Sequence, residues 1–529
     1  MTNRLEGMFN DIGLEWGISK CAAIHIKKGK LQKSQNLPLT SGSEIPVLGE
    51  EDHYKFLGKL ENVNQLDKQV FKQASLEYLR RLATIWTSPL SIPRKIKASN
   101  TFAYPVLQYY MWSCEWAIED LQELDRKTRG IIAQNKGKHN HESNSMLYLS
   151  PDFGGRGLKE LEVQYKATKI KIAHYITTSN DPHIEIVRTF QDAKEVKKSR
   201  SVIKDAKTYA QQLNLETTFD KQLKCTTVKM GEKQIVLKSS SPKYIQQQLK
   251  EAADKMYQQK VSEQLWLGNY VTQRWKDNDI SKHNFNPTSK WKNIPDVVLS
   301  VHTSILQQLV PTKVYRVKKL QERGSDLTCT LCQSAEETIP HLLCGCSAMA
   351  QSIYKSRHDR MLRPVYHFLL SLYNISPNDE TKAWYKQAIP KTSIENNQAK
   401  ILWDTPIYID KAPENGANRP DITIYDRKNK KVILVEGTVC NIGQINDRNE
   451  YKKRKYLDLR VGLRKIYPDY EIKQINIVFN FLGDFNGTLE KELSNLTQKK
   501  DVNKVLTNCQ KWIITQNCEV IKKFYSLRQ

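Results

Sequence analysis

Five residues crowd into one stretch of this sequence in a pattern that suits a metal ion: Cys329, Cys332, His341, Cys344 and Cys346. Thiolate and imidazole are the soft and borderline donors that tetrahedral zinc takes. The order is Cys329-Thr-Leu-Cys332, eight residues, His341, four residues, Cys346. It presents two thiolates from one turn and returns an imidazole and a third thiolate from a later segment. Cys344 competes as the fourth ligand, but only two residues separate it from His341, whereas Cys346 leaves nearly one helical turn and is preferred. With all four positions filled by protein, the Zn2+ would be structural. The segment that follows, with Tyr354, Arg357, His358 and Arg360, reads as an amphipathic helix docked on this knuckle, carrying basic groups to a phosphate backbone.

A second constellation lies near the C-terminus. Arg419-Pro-Asp421-Ile-Thr-Ile-Tyr-Asp426, a polar run to Lys430, and Lys431-Val-Ile-Leu-Val-Glu436 read as two strands joined by a tight turn. With Lys428 and Asn429 at the turn, Asp421 faces Glu436. Cross-strand neighbours lie about 5 Å apart at Cβ, close enough to share Mg2+ with a phosphate oxygen. The metal would polarise a phosphodiester and lower the pKa of an attacking water. A slip of one residue would place the two acids on opposite faces. A lysine two residues past the second acid would complete the site, but that position is Thr438. The helix after Asp447 supplies Lys452, Lys455 and Tyr456 within about one turn of each other.

The elements that must position these groups are mixed. Ala22–Ile26 reads as a strand entering a Lys28-Gly29-Lys30 turn, and Tyr54–Gly58 as a second short strand. From about residue 62 the pattern turns helical, with Leu121, Leu124, Thr128 and Ile131 or Ile132 on one face. Gly154-Gly155-Arg156-Gly157-Leu158 reads as a structural turn. Residues 190–320, rich in Lys, Gln and Glu, read as a helical connector, and strands return from about 400. The fold expected is multidomain α+β. At 529 residues and 39% apolar content there is ample material for several cores. The 82 Lys and Arg against 57 Asp and Glu leave a net charge of +25, an excess that points to a polyanionic partner. No stretch approaches twenty apolar residues and Met1–Glu6 lacks a signal-peptide core, so the expectation is an intracellular protein with no membrane span.

Several segments recur in an order that carries a resemblance. They are Gly13-Leu-Glu-Trp-Gly-Ile-Ser-Lys-Cys21, Tyr54-Lys-Phe-Leu-Gly58, Lys95 to Tyr109, Leu124-Asp-Arg126, Gly154 to Leu158, the knuckle with Tyr354 and Arg357-His358, and Pro420-Asp421, Glu436 and Lys452-Lys-Arg-Lys455-Tyr456. Taken together they resemble the C-terminal half of site-specific non-LTR retrotransposon proteins that carry a restriction-like endonuclease. The resemblance implies a reverse transcriptase palm remnant over 1–61, an α-helical thumb over 62–185 and a helical basic connector over 186–322. It further implies a CCHC zinc knuckle with its following helix over 323–375, and an α/β nuclease domain of the PD-(D/E)xK class, its lysine displaced onto a helix, over 395–529. It implies DNA and RNA as partners, Arg126 and Arg156 of the thumb as further nucleic-acid contacts, and a nuclear location. No Asp-Asp dipeptide occurs in the sequence, so the polymerase site of that family, and with it reverse transcription, is not expected. Two functions follow: a Mg2+-dependent DNA-nicking endonuclease, or a non-catalytic nucleic-acid-binding protein or decayed relic. Only the first requires metal-dependent cleavage.

Overall fold

The computed structural model describes all residues except 1, 15–16, 29, 33, 57, 62–65, 198, 239–241, 282, 325, 376–382, 497–501 and 529. Glu15, Trp16, Gly29 and Leu57, which entered the sequence argument, lie outside the described residues. The chain is mixed α and β, and its residues divide between two compact units.

The first unit comprises Met1–Ser88, Lys97–Ile132 and Lys159–Ala253. Helix Asp67–Thr87 buries Val70, Ala74, Tyr78, Leu82 and Trp86, a four-residue repeat that makes one apolar stripe. Helix Ile118–Gln134 buries Leu121, Leu124, Thr128 and Ile132, the face expected from sequence, with Ile132 rather than Ile131 turned inward. The N-terminal strand is shorter than expected: only Ile26–Lys27 pairs, with Lys30–Leu31, while Ala23 bridges Val47. Tyr54–Phe56 pairs with Lys59–Glu61.

The expected helical connector is corrected here. Glu216–Asp220, Cys225–Met230 and Lys233–Leu237 form a three-stranded antiparallel sheet. Its second hairpin turns at Gly231-Glu232, with Gly231 at a φ of 63° that favours glycine. The abundance of Lys, Gln and Glu hid a short β-branched alternation.

The second unit comprises Pro89–Ile96, Ala133–Leu158 and Asp254–Gln529, so parts of the expected thumb belong to it. Long-range bonds tie these pieces to the rest of the unit. Backbone N–H groups of Ile92, Ser143 and Ser150 are taken up by the side chains of Asp296, Gln307 and Asp254. The Gly154–Leu158 turn is structural: Gly154 and Gly157 have φ of 88° and 73°, and a Cβ on Gly155 would lie 2.0 Å from the Leu149 carbonyl oxygen.

The part of this unit that matters most for chemistry is a five-stranded sheet with helices on both faces. Its strands, in spatial as well as chain order, are β1 (Ser393–Glu395), β2 (Ala399–Trp403), β3 (Ile422–Asp426), β4 (Lys431–Cys440) and β5 (Glu471–Asn480). The first four run antiparallel, and β5 is parallel to β4. One face is covered by α1 (Lys355–Leu372) and the C-terminal helix α4 (Val502–Arg528). Here Leu362, Val365 and Leu369 meet Ile424, Val435, Ile477, Leu506 and Ile513 in one core. The opposite face is covered by α2 (Ile445–Lys455) and α3 (Leu457–Ile466), which with the intervening Tyr456 pack Leu459 and Leu463 on Val432 and Leu434. Continuous apolar runs in β3 and β4 are what burial on both faces demands. The strands expected at 422–425 and 432–435 are present. Strand β5 and helix α4 were not expected from the sequence.

Candidate functional site

The hairpin of β3 and β4 adopts the register expected from its turn. Ile422 pairs with Val435 and Asp426 with Lys431, which extends to Asp421 opposite Glu436. Asp426 fixes the turn, accepting from the Asn429 backbone N–H at 2.9 Å and its side-chain amide at 2.8 Å. The register of the hairpin therefore rests on a pinned loop.

Glu436 is buried, and both of its oxygens are engaged: Lys452 Nζ meets Oε2, and the Tyr456 hydroxyl donates to Oε1. Tyr456 also approaches the Arg419 carbonyl oxygen at 3.0 Å. Burial and the neighbouring Glu436 charge push its phenol far above the usual range, so it stays a donor. Lys452 is the lysine that touches the acid. Lys455 stands one step back, 4.6 Å above the Tyr456 ring, and donates to its hydroxyl at 3.0 Å. The structure thus brings together Asp421, Glu436, Lys452 and Tyr456, with Lys455 in the next layer.

Asp421 is half-buried. Its Oδ2 accepts from the Gly437 N–H at 2.7 Å and lies 3.1 Å from His358 Nε2. Burial alone would raise its pKa, but the His358 hydrogen bond and charge, the Gly437 N–H and Lys452 outweigh this and hold it below the ordinary carboxylate value. His358 in turn lies 3.1 Å from Asp359 through Nδ1. Burial would lower its pKa, yet its bonds to Asp359 and Asp421 dominate and push it up to about 10. Asp421 opens into a cleft lined also by Lys355, His358, Asp359, Trp403, Asp404 and Arg419. Two carboxylates thus stand on adjacent strands, with a lysine and a phenol from the end of α2 on one of them.

The cysteine cluster sits before α1 in the same unit. The sulfur atoms of Cys329, Cys332 and Cys346 and a ring nitrogen of His341 all lie within 4.8 Å of one another. A tetrahedral zinc site with Zn–S near 2.3 Å needs sulfurs about 3.8 Å apart, so these four residues could bind a metal, consistent with zinc. The first two thiols come from a turn closed by the Cys329 N–H to the Ala335 carbonyl at 2.7 Å and by Gln333 at a φ of 51°. The fully buried Glu337 braces it, accepting from the Thr330 hydroxyl at 2.8 Å and the Lys313 N–H at 2.8 Å. His341 opens a π-helical turn, His341–Gly345, and a Cβ on Gly345 would lie 3.3 Å from its Nδ1. Burial tends to raise the Cys332 thiol, but hydrogen bonds from Ser334 and the neighbouring thiols outweigh it and lower the pKa, while burial and the neighbouring thiols raise that of Cys346. Cys344 is not part of the cluster; its sulfur lies 4.0 Å from the Val439 carbonyl oxygen on β4.

The basic residues expected to face nucleic acid divide. Arg357, expected to face phosphate, is buried, donating to the Leu343 carbonyl at 2.7 Å and Asn517 at 2.9 Å, so its side chain ties the knuckle to α1 and α4. Arg156 is likewise enclosed, paired with Glu142 at 2.9 Å. His358 faces Asp421 rather than open solvent. Arg360 is half-exposed over the Trp512 ring at 5.3 Å. Arg126, in the first unit, is exposed and paired with Glu123. Sequence reasoning missed the His358 contact, since nothing local connects it to a residue 63 positions away. None of the described helices is long and apolar enough to cross a membrane. No protein-family profile matches this chain, and a search of curated proteins finds no relative.

Proposed function

We propose that this chain is a DNA endonuclease that nicks one strand by Mg2+-assisted phosphodiester hydrolysis, and that it derives from the C-terminal half of a non-LTR retrotransposon protein. One observation carries the proposal: Asp421, Glu436, Lys452 and Tyr456 converge on one end of the β3–β4 hairpin. Asp421 and Glu436 would hold the cation, which supplies Lewis acidity and a water of lowered pKa. Lys452, which meets Glu436, would offset negative charge as it builds on the phosphate oxygens. Tyr456 keeps Glu436 oriented through its hydroxyl. Water adds to phosphorus and gives up a proton to solvent, the P–O3′ or P–O5′ bond breaks, and the departing oxygen takes up a proton from solvent.

The knuckle fits a structural zinc, and the net charge of +25 supports a polyanionic partner, DNA and RNA both being candidates. A nuclear location follows from the same resemblance. Purified protein with Mg2+ is expected to nick supercoiled plasmid, and Asp421→Ala to abolish nicking while leaving DNA binding intact. Equal nicking by wild type and variant would defeat the assignment.

A further inference from the structure

The start of α1 is tied to the knuckle by two side chains in succession. The Tyr354 hydroxyl lies 2.7 Å from the Leu342 carbonyl and 3.3 Å from that of His341, and accepts from the Cys346 N–H at 3.3 Å. Arg357 donates to the Leu343 carbonyl at 2.7 Å. Both therefore grip the turn that carries two of the four metal-type ligands. One turn further along the helix, Leu362 lies against β4, where a Cβ on Gly437 would come within 2.8 Å of its Cδ1. Glycine at 437 allows the helix to sit this low over the strand. Residues four apart share a helix face, so His358 is carried to the same strand end as Leu362.

Resting on the nuclease reading above, we propose that His358 is a positioning residue for Asp421, so that the knuckle-anchored helix sets the orientation of a metal-binding carboxylate. His358 Nε2 and the Gly437 N–H both act on Asp421 Oδ2, at 3.1 and 2.7 Å. Two donors on one oxygen fix the carboxylate's rotation and leave Oδ1 as the oxygen for a cation. Asp359, at 3.1 Å from Nδ1, fixes the ring itself. The knuckle is thereby the footing of the cleavage site. Hydrogen-bonding groups behind a metal ligand typically contribute about 10- to 100-fold to metal affinity or activity.

The test uses the full chain on supercoiled plasmid across a Mg2+ titration, with bound zinc and DNA affinity measured on each preparation. For His358→Leu, the Mg2+ concentration for half-maximal nicking is expected to rise about 10- to 100-fold, with zinc content and DNA affinity unchanged. His358→Gln, whose amide can donate to Oδ2, is expected to recover most of the loss. Tyr354→Phe, which touches neither acid, should retain zinc yet raise the same midpoint several-fold. Unchanged Mg2+ dependence in His358→Leu, with Asp421→Ala inactive, overturns the positioning role and leaves the nuclease reading standing. Equal loss in the Leu and Gln variants also overturns it, since packing rather than the hydrogen bond would be responsible. Wild-type nicking by Asp421→Ala removes both proposals together.

Discussion

The knuckle and the carboxylate site are assembled over very different spans of chain. All four donors of the knuckle lie between Cys329 and Cys346, on a braced turn and the π-helical segment that follows it. The carboxylate site draws Asp421 and Glu436 from a hairpin, Lys452 and Tyr456 from the end of α2, and His358 from α1. The first needs only local spacing and a metal. The second needs strand register, helix packing on both faces of the sheet, and a glycine that lets α1 approach. A site of the first kind is broken first of all by its own ligands, whereas one of the second kind can be disturbed from several elements.

The largest expected effect lies in the knuckle. Structural zinc sites in small modules carry about 10–16 kcal/mol of apparent binding free energy, so Cys329→Ser or Cys346→Ser should lose the bound zinc. Cys344→Ser, outside the cluster, should keep it. Metal analysis of the three purified variants checks this, and zinc loss from Cys344→Ser would revise the ligand set. Next in size is the contrast between the two lysines. Removing a donor that stabilises developing charge costs about 10²–10³-fold in rate, which is expected of Lys452→Ala. That variant should also be less stable, since it leaves Glu436 buried without its cation. Lys455→Ala, whose contact is with Tyr456, should cost about tenfold or less. Initial nicking rates and thermal unfolding separate the two, and a reversed order would give the catalytic role to Lys455.

Smaller effects distinguish holding residues from contact residues. Arg357→Ala strands the Leu343 carbonyl and Asn517 in a buried place, a loss of about 1–3 kcal/mol in denaturant unfolding. Arg360→Ala should change stability by less than about 1 kcal/mol. Arg126→Ala, at an exposed ion pair, should leave stability within about 0.5 kcal/mol of wild type. If Arg126 meets phosphate, its loss should reduce the salt slope of DNA binding by about one.

Legibility in the sequence follows the same division. The knuckle's preferred ligand set could be written from spacing, because a turn and a short return segment leave the chain little freedom. The hairpin register was accessible because Asp426 and Asn429 define a turn, and register fixes which residues face one another. The displaced lysine was open between Lys452 and Lys455, since helix periodicity places both near the acids and only packing of α2 on β4 separates them. The His358 contact was out of reach: it depends on how closely α1 lies over Gly437, a matter of shape rather than pattern. The inward placement of Arg357 and Arg156 was out of reach for a related reason. A buried arginine bonded to carbonyls or a carboxylate has the same sequence signature as one that meets phosphate. The sheet of the first unit was hidden by polar composition, which outweighed a weak alternation and the Gly231 turn.

The most direct measurement of the central claim compares wild type and Asp421→Ala for Mg2+-dependent conversion of supercoiled to open-circular plasmid, with DNA affinity and bound zinc measured in parallel. Wild type is expected to nick and to stop on Mg2+ removal, Asp421→Ala not to nick, and affinity and zinc content to be equal in both. Binding without nicking by fully zinc-loaded wild type, or equal nicking by the variant, would contradict it.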